Sequence, residues 1–65
     1  MQPHEQRVVS EREELLDKVA KLQGFFLTPV FSKLATEDRH LLEIQYDIMQ
    51  TYISVLSKRI YRFSS

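Results

Sequence analysis

Residues 36–63, TEDRHLLEIQYDIMQTYISVLSKRIYRF, decide the fold because they lack proline and glycine and carry apolar side chains at helical spacing. Thr36 can cap the segment, so we predict a helix over residues 37–63. The apolar side chains form two lines about 100° apart around the helix axis. The first line contains Leu41, Ile48, Tyr52, Val55 and Phe63, and the second contains Leu42, Met49, Ile53, Leu56 and Ile60. Together with Ile44 they cover roughly half of the circumference, more than the stripe of about 100° typical of a surface helix.

A second long helix is predicted over residues 5–24, where Val8, Leu15, Val19 and Leu22 recur at the spacing of one helix face. Gly24 and Pro29 mark the break that follows. Thr28 can cap a short helix over residues 29–34, and proline suits its first position because that amide needs no partner. We therefore predict an all-α fold, a single domain over residues 1–65 that forms an antiparallel helical hairpin with a short middle helix.

The apolar surplus on both long helices points to self-association. On the first helix Val9, Leu16 and Ala20 form another apolar line beside the main stripe. A chain this short gains stability from disulfides, a metal or further copies of itself, and this one has no cysteine and two histidines. The sequence thus predicts an oligomeric helical bundle. The alternative is that residues 25–34 fold over the hairpin and cover the surplus within one chain.

Charge and hydropathy narrow the range of partners. Nine basic and nine acidic side chains give a net charge of zero, which argues against a general affinity for nucleic acid. No segment approaches the roughly 20 apolar residues that span a bilayer, and the N-terminus has no apolar run typical of a signal peptide. We expect a cytoplasmic protein with neither nucleic acid nor membrane among its partners.

The sequence offers little for catalysis or metal binding. It has no cysteine nucleophile, no glycine-rich phosphate loop and no HExxH-type spacing. Carboxylate pairs such as Glu13 and Asp17 fall on polar helix faces, where solvated side chains are the ordinary interpretation. We therefore predict a protein that binds and does not catalyse, with no metal and no cofactor.

A candidate ligand site lies at the open end of the predicted hairpin, where the start of the first helix meets the end of the last. Cations there are joined by tyrosines, a combination that suits an anionic ligand with a flat ring, such as a nucleotide. The predicted ligand-binding residues are His4, Arg7, Tyr52, Arg59, Tyr61 and Arg62, with Arg12 and Lys58 nearby. The alternative is that Glu5, Glu11 and Glu14 neutralise these cations across the hairpin.

Three stretches, HEQRVV at 4–9, KLQGFF at 21–26 and the helix over 41–60, resemble small proteins encoded by bacteriophages and prophages. One class of such proteins consists of oligomeric helical hairpins that sequester nucleotide signals of bacterial immune pathways. The resemblance in size and architecture implies a homo-oligomeric sponge with an inter-subunit pocket, acting in the cytoplasm of a bacterial host. The alternative function is a small protein–protein inhibitor or adaptor that offers an apolar helix face to a host protein.

Overall fold

A computed structural model describes residues 1–64 and shows a helical hairpin. Over this range 88% of the chain is helical and no strand is present, which confirms the predicted all-α class. The described residues form α1 (Pro3–Phe26), the short α2 (Pro29–Ser32) and α3 (Thr36–Phe63). No helix within residues 1–64 combines the length and apolar character that crossing a bilayer requires.

Helix α1 extends two residues beyond the predicted range at each end. Pro3 occupies its first position, and the Gln2 backbone N–H donates to Glu5 Oε1 at 2.8 Å, which satisfies a donor at the helix start. At the other end Gly24 stays within the helix, since its φ is not positive, and the helix continues to Phe26. Packing of Phe26 against neighbouring aromatic rings outweighs the weak helix propensity of glycine.

Thr28 caps α2 as the sequence indicates. Its Oγ1 accepts a hydrogen bond from the Phe31 backbone N–H at 3.3 Å and donates to the Phe25 carbonyl at 2.8 Å. The helix ends at Ser32, two residues before the predicted boundary, and Lys33 forms its C-cap. The single hydroxyl thus links the last turn of α1 to the first turn of α2.

The predicted capping role of Thr36 is wrong. Ala35 holds the extended N-cap position and Thr36 is already the first residue of α3. The Thr36 Oγ1 instead accepts a hydrogen bond from Arg39 Nη2 at 3.3 Å. Helix α3 therefore begins one residue earlier than predicted.

The core runs between α1 and α3, which lie antiparallel in a rod of 46 × 15 × 14 Å. It contains the buried side chains Val8, Val19, Ile53 and Leu56. The second apolar line of α3, the one that includes Ile53 and Leu56, therefore faces α1. Phe26 closes one end of the core by edge-to-face contacts, with ring centroids 4.9 Å from Phe31 and 5.5 Å from Tyr46.

Most of the first apolar line of α3 stays in solvent, the exception being the half-buried Phe63. Leu41 and Ile48 are each 62% exposed and Val55 is 49% exposed, and α2 packs against the end of α1 without covering them. The alternative in which residues 25–34 cover the surplus is therefore wrong for α3. We call the exposed set the α3 stripe, and its members are Leu41, Ile44, Ile48, Tyr52 and Val55.

Candidate functional site

Two side-chain contacts fix how the open end of the hairpin is arranged. The Tyr52 hydroxyl donates to the Glu11 carboxylate, and Arg12 Nε donates to Ser57 Oγ at 2.7 Å. Because the helices are antiparallel, residues before Glu11 lie beside residues after Ser57. The start of α1 and the end of α3 therefore meet, as the proposed ligand site requires.

His4, Arg7, Tyr52 and Arg59 lie on one side of this end, and we call them the open-end cluster. On α1, His4, Arg7 and Glu11 are spaced by three and four residues, so they share the side from which Glu11 reaches Tyr52. On α3, Arg59 lies two turns after Tyr52 and about 20° from it around the axis. The two helices thus bring the imidazole, both guanidinium groups and the tyrosine ring to a common surface.

The remaining two predicted residues lie elsewhere around α3. Tyr61 is 77% exposed and stands two residues after Arg59, a rotation of about 200°, which puts it on the opposite side of the helix. Arg62 is exposed and lies about 60° from Arg59, at the edge of the cluster. Within one chain, Arg62 therefore lies nearer to the open-end cluster than Tyr61 does.

The carboxylates expected to neutralise the open-end cations do not pair with His4, Arg7 or Arg59 within residues 1–64. Glu5 accepts from the Gln2 amide, Glu11 accepts from the Tyr52 hydroxyl, and Glu14 forms no salt bridge with a described residue. In the part of the chain that the structure describes, these three carboxylates therefore form no salt bridge to His4, Arg7 or Arg59 across the hairpin.

The cations of the cluster keep their donors open to solvent. His4, Arg7 and Arg59 are exposed and make no hydrogen bond or salt bridge within residues 1–64. Arg12 behaves differently, because its side chain is half-buried and donates to Ser57, which in turn donates to the Ile53 carbonyl at 2.9 Å. Arg12 therefore supports the hairpin, while the other three are available to an anion.

The grooves along the rod have different chemical characters. A groove of about 230 Å³ beside Tyr52 is lined by Glu11, Glu14, Leu15 and Lys18. The carboxylates of Glu11 and Glu14 repel an anion in this groove, whereas Lys18 attracts one. No sequence pattern indicates this groove, because it depends on the register of α1 against α3.

Two further grooves lie toward the closed end of the hairpin. One of about 350 Å³ combines aromatic rings with carboxylates, an environment that favours a cation, and it is lined by Phe26, Phe31, Glu43, Tyr46 and Asp47. The other, of about 460 Å³, adjoins the start of the α3 stripe and is lined by Thr36, Glu37, His40 and Leu41. No three histidine or carboxylate side chains of residues 1–64 cluster as metal ligands.

Comparison with known proteins gives one informative result. Neither the curated proteins nor the solved structures contain a significant match to the chain. A family model described as Sequestin matches residues 2–62, a range that includes α1, α2 and all but the last residue of α3. Since this match extends over nearly the whole sequence, the chain belongs to the Sequestin family.

Proposed function

We propose that the protein is a non-catalytic, phage-type sponge that sequesters an anionic, nucleotide-like immune signal of the bacterial host. Binding takes place at a pocket between subunits of a homo-oligomer in the host cytoplasm. The observation that carries this proposal is the open-end cluster, in which Arg7, Arg59 and His4 lie beside Tyr52 and have no partner among residues 1–64. The family name, which denotes sequestration, supports a binding role.

The chemistry of the cluster suits a phosphorylated ligand with a flat ring. Guanidinium groups hold phosphate oxygens by paired, charge-assisted hydrogen bonds, and they remain charged at any physiological pH. The Tyr52 ring offers a stacking surface, and the bond from its hydroxyl to Glu11 fixes its orientation before a ligand arrives. A ring that is already oriented lowers the entropic cost of binding.

A single hairpin exposes this cluster on the outside of a narrow rod. Small-molecule sites usually bury 70–90% or more of a ligand's surface, which a convex two-helix surface does not provide. A further subunit would supply the missing wall, and the exposed α3 stripe offers the apolar surface for such an assembly. The proposed inter-subunit pocket therefore combines the open-end cluster with an assembly held together by the α3 stripe.

Thermal denaturation with a ligand panel tests the proposal. A ligand that binds the folded state at about 100 times its Kd adds about 2.7 kcal/mol of stability, which raises the Tm of a domain this size by roughly 10–20 °C. The panel comprises cyclic dinucleotides and ADP-ribose-type molecules in phosphate-free buffer. We expect at least one to raise the Tm, and the absence of a shift with all of them would contradict the proposal.

Two charge-removing variants separate the site from a general charge effect. Arg7→Gln, in the open-end cluster, should abolish most of the ligand-induced shift. Lys33→Gln removes the same charge at the exposed closed end and should retain it. Equal losses in the two variants would show that the ligand responds to net charge and not to the cluster.

The second candidate function is a protein–protein inhibitor or adaptor, which the exposure of the α3 stripe favours. In that case the stripe is the binding surface for a groove on a host protein. Light scattering distinguishes the two functions, because the inhibitor should be monomeric at micromolar concentration with the stripe free. A stable symmetric oligomer that covers the stripe would remove the support for this candidate.

A further inference from the structure

The α3 stripe is symmetric in sequence about Ile48. Ile44 and Tyr52 lie four residues to either side of it, and Leu41 and Val55 lie seven residues to either side. All five side chains are at least 40% exposed in the hairpin. An antiparallel copy of α3 placed on the stripe would therefore meet a large apolar side chain at each of these positions.

Charges at the two ends of the stripe follow the same symmetry. Glu37 lies eleven residues before Ile48 and Arg59 lies eleven residues after it, and both are exposed on the side of the stripe. The helix dipole alone favours an acid at the start of a helix and a base at its end. It does not require the two to stand at equal distances from Ile48 along the apolar line.

We propose that a second copy of this chain covers the α3 stripe, with the two α3 helices antiparallel and a two-fold axis passing at Ile48. Ile48 then packs on the partner's Ile48, Ile44 on the partner's Tyr52, and Leu41 on the partner's Val55. Glu37 lies beside the partner's Arg59 at both ends of the contact. This is an isologous interface, in which one patch serves both subunits.

The arrangement of the stripe favours a second copy over an unrelated partner. Its spacings of three, four, four and three residues average 3.5, the repeat that lets two helices stay in contact along their length. Positions mirrored about Ile48 make the patch self-complementary, which a contact with a different protein does not require. A parallel pair of copies would set Arg59 against the partner's Arg59 and Glu37 against the partner's Glu37, which like charges oppose.

The size of the stripe suits a modest but specific dimer. From Glu37 to Arg59 the helix rises by about 33 Å at 1.5 Å per residue. Pairing two such stripes buries on the order of 1,000 Å² in total, below the roughly 1,200–2,000 Å² of stable specific interfaces and within the range of weak or transient ones. The dimer should therefore dissociate measurably on dilution, so that single substitutions change its Kd.

This pairing also brings a second wall to the candidate site. The open end of one subunit lies next to the start of α3 in the other, so Arg59 faces the groove formed by the partner's Thr36 and the partner's His40, and an anion bound there competes with the partner's Glu37 for Arg59. Two equivalent composite sites result in each dimer. This last consequence rests on the proposed function, whereas the pairing of the helices does not.

Exchanging the charges at positions 37 and 59 tests the pairing. The dimer Kd of each variant is measured by sedimentation equilibrium without ligand. Glu37→Arg and Arg59→Glu should each raise the dimer Kd roughly tenfold, because each reversal turns two ion pairs per dimer into repulsions. The double variant should restore the original Kd. Unchanged Kd values in the single variants, or a double variant weaker than either single one, would overturn the antiparallel register, as would a monomeric parent protein.

Disulfide trapping gives an independent check, since the chain has no cysteine of its own. An oxidised mixture of Leu41→Cys and Val55→Cys proteins should form the mixed disulfide and little of either homodimer. Ser54→Cys, exposed off the stripe, is the matched control and should not cross-link. Homodimers of Leu41→Cys as the main product would show parallel pairing and overturn the proposal.

The result for the pairing and the result for the proposed function can be told apart. A dimer with the expected charge exchange and no response to any nucleotide-type ligand supports the pairing and removes the proposed function. A ligand-stabilised protein that stays monomeric supports ligand binding by the chain and removes both the pairing and the inter-subunit pocket. Circular dichroism of each variant checks that its helices are intact, which we expect because every substituted side chain is solvent-exposed.

Discussion

Leu56 gives the sharpest test of the hairpin core, because its side chain is 0% exposed. Leu56→Ala removes the contacts between α1 and α3 at this point, and truncations of fully buried leucines cost about 3–5 kcal/mol. A chain of this length has a total stability of roughly 3–10 kcal/mol at the usual value per residue. The variant should therefore lose about a third or more of its stability, and its Tm should fall by roughly 12 °C or more.

Far-ultraviolet circular dichroism during heating and urea titration measures this loss. Leu27→Ala is the matched control, because the same side chain is truncated at a position that is 86% exposed. The control should change stability by less than about 0.5 kcal/mol. If Leu56→Ala melts within a few degrees of the parent protein, or if Leu27→Ala loses as much, the packing of α3 on α1 is not as described.

Three smaller effects can be measured by urea denaturation of single variants. Gly24→Ala should raise stability by about 0.5–1 kcal/mol, because Gly24 lies within a helix without positive φ and an added Cβ would meet nothing within 4 Å; a loss would contradict the helical placement. Thr28→Ala should lower stability by about 1 kcal/mol through loss of the α2 cap, and an unchanged midpoint would show that the cap contributes nothing. Tyr52→Phe should lower stability by about 0.5–1.5 kcal/mol because it removes the hydrogen bond to Glu11. Tyr61→Phe is the control and should leave stability unchanged. Equal effects of the two variants on stability would argue against the bond between Tyr52 and Glu11.

Local sequence signals predicted the fold class but not the side of α3 that faces α1. The helical spacing of Val8 and Val19, and the cap at Thr28, were enough to predict the helices. The two apolar lines of α3 are similar in composition, so nothing in the sequence indicates that Leu56 faces α1 while Ile48 faces solvent. That choice depends on how the turn after α2 directs the second arm of the hairpin.

The candidate site was predicted in outline for a similar reason. Antiparallel topology alone places the cations of α1 and α3 at one end, and the 200° rotation from Arg59 to Tyr61 could have been read from the sequence. The bonds from Tyr52 to Glu11 and from Arg12 to Ser57 could not, because they require the register of one helix against the other. The inter-subunit pocket remains a prediction.

Native mass spectrometry of the protein taken directly from cells tests whether the hairpin holds a small anionic ligand only as part of a larger assembly. It reports the number of subunits and any retained small molecule in one spectrum. We expect an even number of subunits with added mass from a phosphorylated compound, and loss of that mass in Arg7→Gln. A monomer without added mass, in cells where the signalling pathway is active, would contradict the account.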